Sequence, residues 1–261
     1  MQSRVLAVVI AMAVGLSGCA WAGSPLGDSA IEPTLPDPPE AVEIELPAEV
    51  EVVVADPEAF DPTLYSVDEP SSLWVVVNKG RAFTVIDYAP DDLVTPELPS
   101  AFAPLLRRDA ALALAEMFDA AAADGVGLMI QSSYRSYTLQ VRVKAESVAR
   151  WGQEISDARS ARAGHSEHQT GLAVDLTTGN SQCTLEACFG ETVEGKWLAE
   201  NSWKFGFILR YLEGKTDVTG YIYEPWHFRF VGLELAEEIW LQGYPTLEEF
   251  FGLPPAPYYP D

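Results

Sequence analysis

Hydrophobic residues recur along the chain with two periods, and the change from one to the other marks out its elements. Residues 73–77, Leu-Trp-Val-Val-Val, predict a buried strand, and residues 82–86 predict a second one across a turn at Asn78-Lys79-Gly80. An Ala- and Leu-rich stretch with helical spacing follows over 104–123, with Gly125 placed to stop it. Residues 127–132 predict a strand, and Ser136 is placed as the N-cap of a helix reaching Trp151, with Gly152 just beyond. Residues 157–164 read as a loop. From Leu172 to Leu176 the period is two: Leu172, Val174 and Leu176 point to one face, Ala173 and Asp175 to the other. Residues 194–205 read as a helix closed by Gly206, 207–211 as a strand, 221–230 as a long aromatic strand, and 233–241 and 246–251 as two closing helices. Pattern alone supports one domain of mixed helix and strand, without internal repeats.

The first 70 residues do not share this pattern. Residues 1–18 carry one base, Arg4, and then an apolar run over 5–16 that is too short to span a bilayer, as in a secretory signal. The run ends in Leu16-Ser17-Gly18-Cys19, which resembles a bacterial lipobox, so Cys19 is expected to carry lipid and anchor the chain to a membrane. An ordinary cleaved signal with an incidental cysteine is the bland alternative. Residues 19–70 contain no Lys or Arg and are dense in Pro, Asp and Glu, the composition of a disordered tether. The folded domain is expected over 71–261. In an exported chain Cys183 and Cys188, separated by four residues, are expected to form a small disulfide. One such pair without further cysteines is an incomplete zinc site.

The net charge of −23 changes the picture only by exclusion. Thirteen acids and no base fall between Asp28 and Glu69, and the rest of the chain, with 26 acids against 15 bases after Arg4, stays near −11. So acidic a surface argues against a nucleic-acid partner, and acidity by itself names no substrate.

The candidate chemistry lies in two short segments. The chain has 3 histidines, His165, His168 and His227, and all fall in Ser166-Glu167-His168 with its preceding residue or in Glu224-Pro225-Trp226-His227. His168, Asp175 and His227 make a set of two imidazoles and a carboxylate that suits Zn²⁺ with a fourth position open for water. His165 as a fourth ligand would close that position, so it is assigned a supporting role. In a regular strand Glu224 and His227 would point to opposite faces; both reach one site only if the backbone turns between them, which Pro225 permits.

These residues carry a resemblance. Ser-x-His-x-x-Gly-x-Ala-x-Asp over 166–175, followed by Glu-x-x-His over 224–227, resembles the zinc D-alanyl-D-alanine carboxypeptidases of the VanY type. The likeness extends to Asn78-Lys79, Tyr88 to Val94, Ser133-Tyr134-Arg135-Ser136-Tyr137 and Gly206 to Tyr211, in the family's order over about residues 71–243. Ala163 stands where the family often has proline, a departure that touches loop stiffness rather than chemistry. The resemblance implies an α+β fold, a small antiparallel sheet flanked by helices with the zinc at its edge, as in the Hedgehog/DD-peptidase group. It implies one Zn²⁺ per chain, Glu224 as general base, Arg135 as the stabiliser of the oxyanion, and a peptidoglycan stem peptide as substrate, cut at its terminal D-alanine. Ser166, and more weakly Gln140 and Trp226, are the expected substrate contacts, although Ser166 could cap a turn and Trp226 could be packing. L,D-carboxypeptidase and endopeptidase activities would use the same metal residues. A Hedgehog-like, non-catalytic wall-binding module is the remaining class, and the joint presence of Glu224 and Arg135 argues against it. The expected protein is a monomer, lipid-anchored and facing the cell wall.

Overall fold

A computed structural model describes residues 60–260. The expected signal, Cys19 and most of the expected tether lie outside the described residues. Residues 60–70, grouped by composition with the tether, pack on the domain: the Phe60 ring stacks on Trp74 at 5.5 Å, and the Val76 amide donates to the Val67 carbonyl.

In chain order the elements are β1 (Leu93–Val94), β2 (Leu106–Arg107), α1 (Arg108–Ala123), β3 (Leu128–Ser132), α2 (Tyr137–Trp151), α3 (Gln153–Arg159), β4 (Ala173–Thr178), α4 (Val193–Asn201), β5 (Phe207–Leu209), α5 (Thr216–Thr219), β6 (His227–Phe230), α6 (Leu233–Gln242) and α7 (Leu247–Phe250). β3, β4, β6 and β5 form an antiparallel sheet in that spatial order, and β1 pairs with β2 alone. This is the expected α+β arrangement. One face of the sheet, through Leu172, Val174, Leu176 and Phe228, packs on Leu114, Met117 and Phe118 of α1 and Leu198 of α4. The alternation read from the sequence thus leaves Asp175 on the other face.

Helix boundaries follow their caps. The Ser136 hydroxyl accepts from the Leu139 amide, and Gly152 ends α2 at φ 79°, a left-handed conformation in which glycine has no Cβ to clash. α1 starts at Arg108 rather than 104, because Leu106 and Arg107 are drawn into pairing with β1. The expected loop at 157–164 begins later than predicted, since Gln153–Arg159 is helical.

Two predicted strands are absent. Trp74, Val75, Val76 and Val77 are buried, with alternate residues entering two different clusters, yet among the described residues no strand pairs with them. Arginines occupy their carbonyls instead: Arg229 Nη2 donates to Leu73 O and Val75 O, and Arg81 Nε to Val76 O. A guanidinium can satisfy buried carbonyls as a neighbouring strand would. Residues 82–86 are irregular, and Val85 and Ile86 are exposed. The turn between them does form, with Asn78 and Arg81 exchanging backbone hydrogen bonds. Cys183 and Cys188 are joined as a disulfide.

Candidate metal centre

Three local structures bring the candidate ligands together. His168 sits in the 3₁₀ turn Glu167–Thr170, which Gly171 ends in the left-handed region at φ 70°. A Cβ at Gly171 would lie 2.9 Å from Leu93 Cδ2, so both the conformation and the close approach require glycine. Asp175 and His227 are direct partners in the antiparallel pairing of β4 with β6, which puts both side chains on one face of the sheet. Next to them a register shift between Ile130 and Ser132 brings Ser132 opposite Asp175. The predicted strand over 221–230 is regular only from His227. Pro225 and Trp226 form a turn closed by a 3.0 Å bond from the His227 amide to the Glu224 carbonyl, and this turn carries Glu224 to the face of His227. The break anticipated at Pro225 is therefore a turn.

One donor atom from each of His168, Asp175 and His227 lies within 4.8 Å of the others. His168 Nε2 is 3.2 Å from Asp175 Oδ2, and His227 Nδ1 is 3.0 Å from Asp175 Oδ1. Among the described residues, His168 Nε2 and Asp175 Oδ1 are buried without a hydrogen-bond partner. Buried polar atoms are almost always satisfied, so two orphans among the three candidate ligands fit a bound cation. The opposite nitrogens are anchored. His168 Nδ1 lies 2.7 Å from the Ser133 carbonyl, which can only accept, so the proton is on Nδ1 and Nε2 is free to ligate. His227 Nε2 faces Glu167 Oε2 at 3.4 Å, leaving Nδ1 toward the site.

Glu167 enters the sequence reading only as a member of the motif; its burial joins it to the site. It accepts from Arg210 Nε at 2.8 Å and Arg229 Nη1 at 3.0 Å, and Arg210 is also held by both oxygens of Glu248. Burial opposes ionisation of Glu167, and the two guanidiniums overcome it, holding its carboxyl well below the usual range. The network contains two guanidiniums and two carboxylates, so it carries no net charge. Its sequence signal was present in Arg210 directly after Phe207-Ile208-Leu209 and Arg229 between Phe228 and Phe230: a base inside an apolar strand needs a buried acid.

Without metal the site titrates unusually. Burial depresses His168 to about 4, assisted by Arg135. Burial acts the same way on His227, but Asp175 and Glu167 outweigh it and raise the imidazole to about 9. Burial pushes Glu224 up to about 8. A metal binding at neutral pH must therefore displace a proton from His227. The apparent zinc association constant is expected to rise roughly tenfold per pH unit from pH 6 and to level off near pH 9. Competition against a chromogenic chelator across that range measures it, and a flat profile would remove His227 from the ligand set.

The ligands open into a cleft of about 560 Å³ lined also by Glu224, Arg135, Ser166 and Trp226. Arg135 Nε is buried and without a hydrogen-bond partner, while its amide donates to the His168 carbonyl at 3.1 Å. Trp226 lines the cleft and also belongs to the core cluster. Ser166 precedes the 3₁₀ turn without capping it. Gln140 is a correction. It is fully buried and does not line the cleft; its Nε2 donates to the Ala161 carbonyl and pins the loop before His165. Its position in the first turn of α2 faces inward, and spacing alone could not distinguish the cleft side from the core side. His165 turns away, with Nδ1 2.8 Å from the Asn78 carbonyl and its ring on Tyr259. Tyr211, which enters the sequence reading only as the end of the Gly206 to Tyr211 segment, packs its ring 4.8 Å from that of His227.

Comparison with known proteins gives the same direction. A model of the family VanY, D-alanyl-D-alanine carboxypeptidase, matches residues 103–233. The protein YodJ of Bacillus subtilis (strain 168) is 40% identical over 193 residues, spanning 72% of this chain and 70% of that protein. The solved structure of the LdcB LD-carboxypeptidase aligns with a TM-score of 0.65 at 40% identity, over 70% of this chain and 87% of that one. A mutant of the vancomycin-resistance D,D-pentapeptidase VanY in complex with Zn(II) aligns with a TM-score of 0.58 at 34% identity, over 70% and 99%. With the family model covering half the sequence and a relative alike over most of its own length, the chain belongs to the VanY D-alanyl-D-alanine carboxypeptidase family.

Proposed function

We propose that the chain is a zinc-dependent D,D-carboxypeptidase that removes the C-terminal D-alanine from peptidoglycan stem peptides, with one Zn²⁺ per molecule. The convergence of His168, Asp175 and His227 with Glu224 and Arg135 in one cleft carries this reading. Zinc, when bound, supplies Lewis acidity and lowers the pKa of a water. His168, Asp175 and His227 would hold it. Glu224 takes the proton of the attacking water and delivers it to the departing amine. Raised to about 8 by burial in the metal-free protein, Glu224 reaches its ionised, basic form at neutral pH once a divalent charge lies beside it. Arg135, with its Nε unpartnered, stabilises the charge that develops on the carbonyl oxygen, and Ser166 and Trp226 border the substrate.

A second reading, L,D-carboxypeptidase on tetrapeptide stems, is favoured by the similarity to the LdcB LD-carboxypeptidase. The same residues would act on either bond. The sequence of the first 59 residues supports an exported chain, held by lipid on Cys19 and lifted toward the wall by a tether whose forty or so residues could extend on the order of 120 Å.

The deciding experiment is mass spectrometry of purified protein with pentapeptide and tetrapeptide stems, with and without a zinc chelator. Loss of one alanine from the pentapeptide, abolished by chelation, is the expected result. Loss from the tetrapeptide alone moves the assignment to L,D-carboxypeptidase. Cleavage only of cross-linked stems would mean an endopeptidase, and binding without any cleavage would mean a wall-binding module.

A further inference from the structure

The cleft runs from the metal ligands to the C-terminal turns of α2 and α3, where cations line it that the hydrolytic steps do not use. Arg150 and Arg159 both border the cleft, and both guanidiniums approach one indole, at 4.6 Å and 5.4 Å from the centre of the Trp151 ring. The nearby bases Lys144 and Arg162 share Asp157, whereas Arg150 and Arg159 have no ion-pair partner among the described residues. Glu146 and Glu186 border the same cleft, and neither pairs with them.

A helix C-terminus favours a nearby cation through its dipole, which accounts for each arginine on its own helix. It does not account for the convergence of both on one ring. Like charges gathered on one ring repel, and a shared anion offsets the repulsion. Guanidiniums meet carboxylates as a planar fork, and the exposed Trp151 indole gives them a face on which to stack. Arg159 lines the same cleft as Glu224 and the metal ligands, which puts this group within reach of a substrate seated at the metal.

We propose that Arg150 and Arg159, gathered on Trp151, form a carboxylate subsite that holds an acidic group of the stem peptide upstream of the scissile bond. This rests on the stem peptide being the substrate. Two carboxylates of such stems qualify: the side-chain carboxylate of a diaminopimelate-type third residue, and the α-carboxylate of an isoglutamyl second residue. Selection at this subsite favours the free acid over its amide and, for the first source, diaminopimelate over lysine.

The test uses zinc-loaded wild type and the R150Q/R159Q double variant with four stems: both carboxylates free, each amidated singly, and both amidated. The arginines are exposed, so the variant keeps the fold. Amidation of one carboxylate is expected to raise the wild-type KM about tenfold with kcat little changed, as for loss of one charge-assisted pair. The variant should lose this discrimination, its KM for the free stem rising to the amide value. The amidation that matters identifies the source. A wild type indifferent to amidation, or a variant that keeps the preference, overturns the proposal. If wild type cleaves none of the stems, the hydrolytic reading fails separately. Calorimetry of the same stems with zinc-loaded E224A protein then decides the subsite, with the same tenfold preference expected and equal affinities refuting it.

Discussion

Replacing Glu224 with alanine is expected to lower kcat by about 10²–10⁴-fold, the usual contribution of a positioned general base, and to leave the zinc content of the protein unchanged. The two effects separate because Glu224 is held by its backbone as well as its side chain. The turn that presents it is closed by its own carbonyl, which alanine retains. Its carboxylate Oε2 lies 3.8 Å from His227 Nδ1, farther than the 3.2 and 3.0 Å contacts that Asp175 makes with His168 and His227. Fold stability at neutral pH should change little, since a carboxyl raised to about 8 is mostly neutral there without metal and gives up no buried ion pair. His168→Ala is the contrast: it removes a ligand and should abolish both zinc binding and turnover. Elemental analysis beside single-turnover kinetics reads both quantities. A near-normal rate for E224A would end its role as base, and loss of its zinc would make it a ligand.

The residues of this site were legible in the sequence because the chemistry is concentrated. With three histidines in two segments, the imidazoles could be assigned from a single chain, and Asp175 followed from the period-two alternation around it. The turn at Pro225 could also be demanded in advance, since a straight strand would have separated Glu224 from His227. What lay behind the ligands was less legible. The partner of Glu167 is not near it in sequence but arrives on β6 and just after β5, so its burial depends on how the sheet closes.

The misread strands have a related cause. Residues 73–77 show the composition of a strand, and the burial pattern agrees, but the carbonyls of Leu73 and Val75 are taken by Arg229, more than 150 positions away, and that of Val76 by Arg81. Periodicity reports which residues are buried, not which groups satisfy their backbone. The same limit misplaced Gln140. Its inward position on α2 was correct for a buried amide, and nothing local showed that Ala161 rather than a substrate would be its partner. α3 was missed because seven residues after a glycine, with only Ile155 and Ala158 apolar, give little helical signal of their own, and its place is fixed by packing on α2.

Glu167→Ala should destabilise the protein by about 3–5 kcal/mol, because removing one member of a buried ion pair leaves the other charge uncompensated. The loss is uneven across the network. Arg210 keeps both oxygens of Glu248 at 2.7 and 2.9 Å, whereas Arg229 is left with the carbonyls of Leu73, Val75 and Phe230. Those carbonyls hold the irregular N-terminal segment on the sheet, so movement of Arg229 would loosen residues 73–77 as well. Zinc affinity should fall by about 10–100-fold, since the acceptor that orients His227 Nε2 is gone. Glu167→Gln separates charge from shape. Because the folded-state carboxyl lies well below its ordinary value, the stability it contributes is full above about pH 4.5 and is lost as the pH falls further. The gap between wild type and E167Q in urea unfolding should therefore hold from pH 7 to about pH 4.5 and narrow below it. A gap that stays constant would mean the carboxylate acts through packing alone, and an E167A protein with unchanged stability and zinc affinity would detach this network from the metal centre.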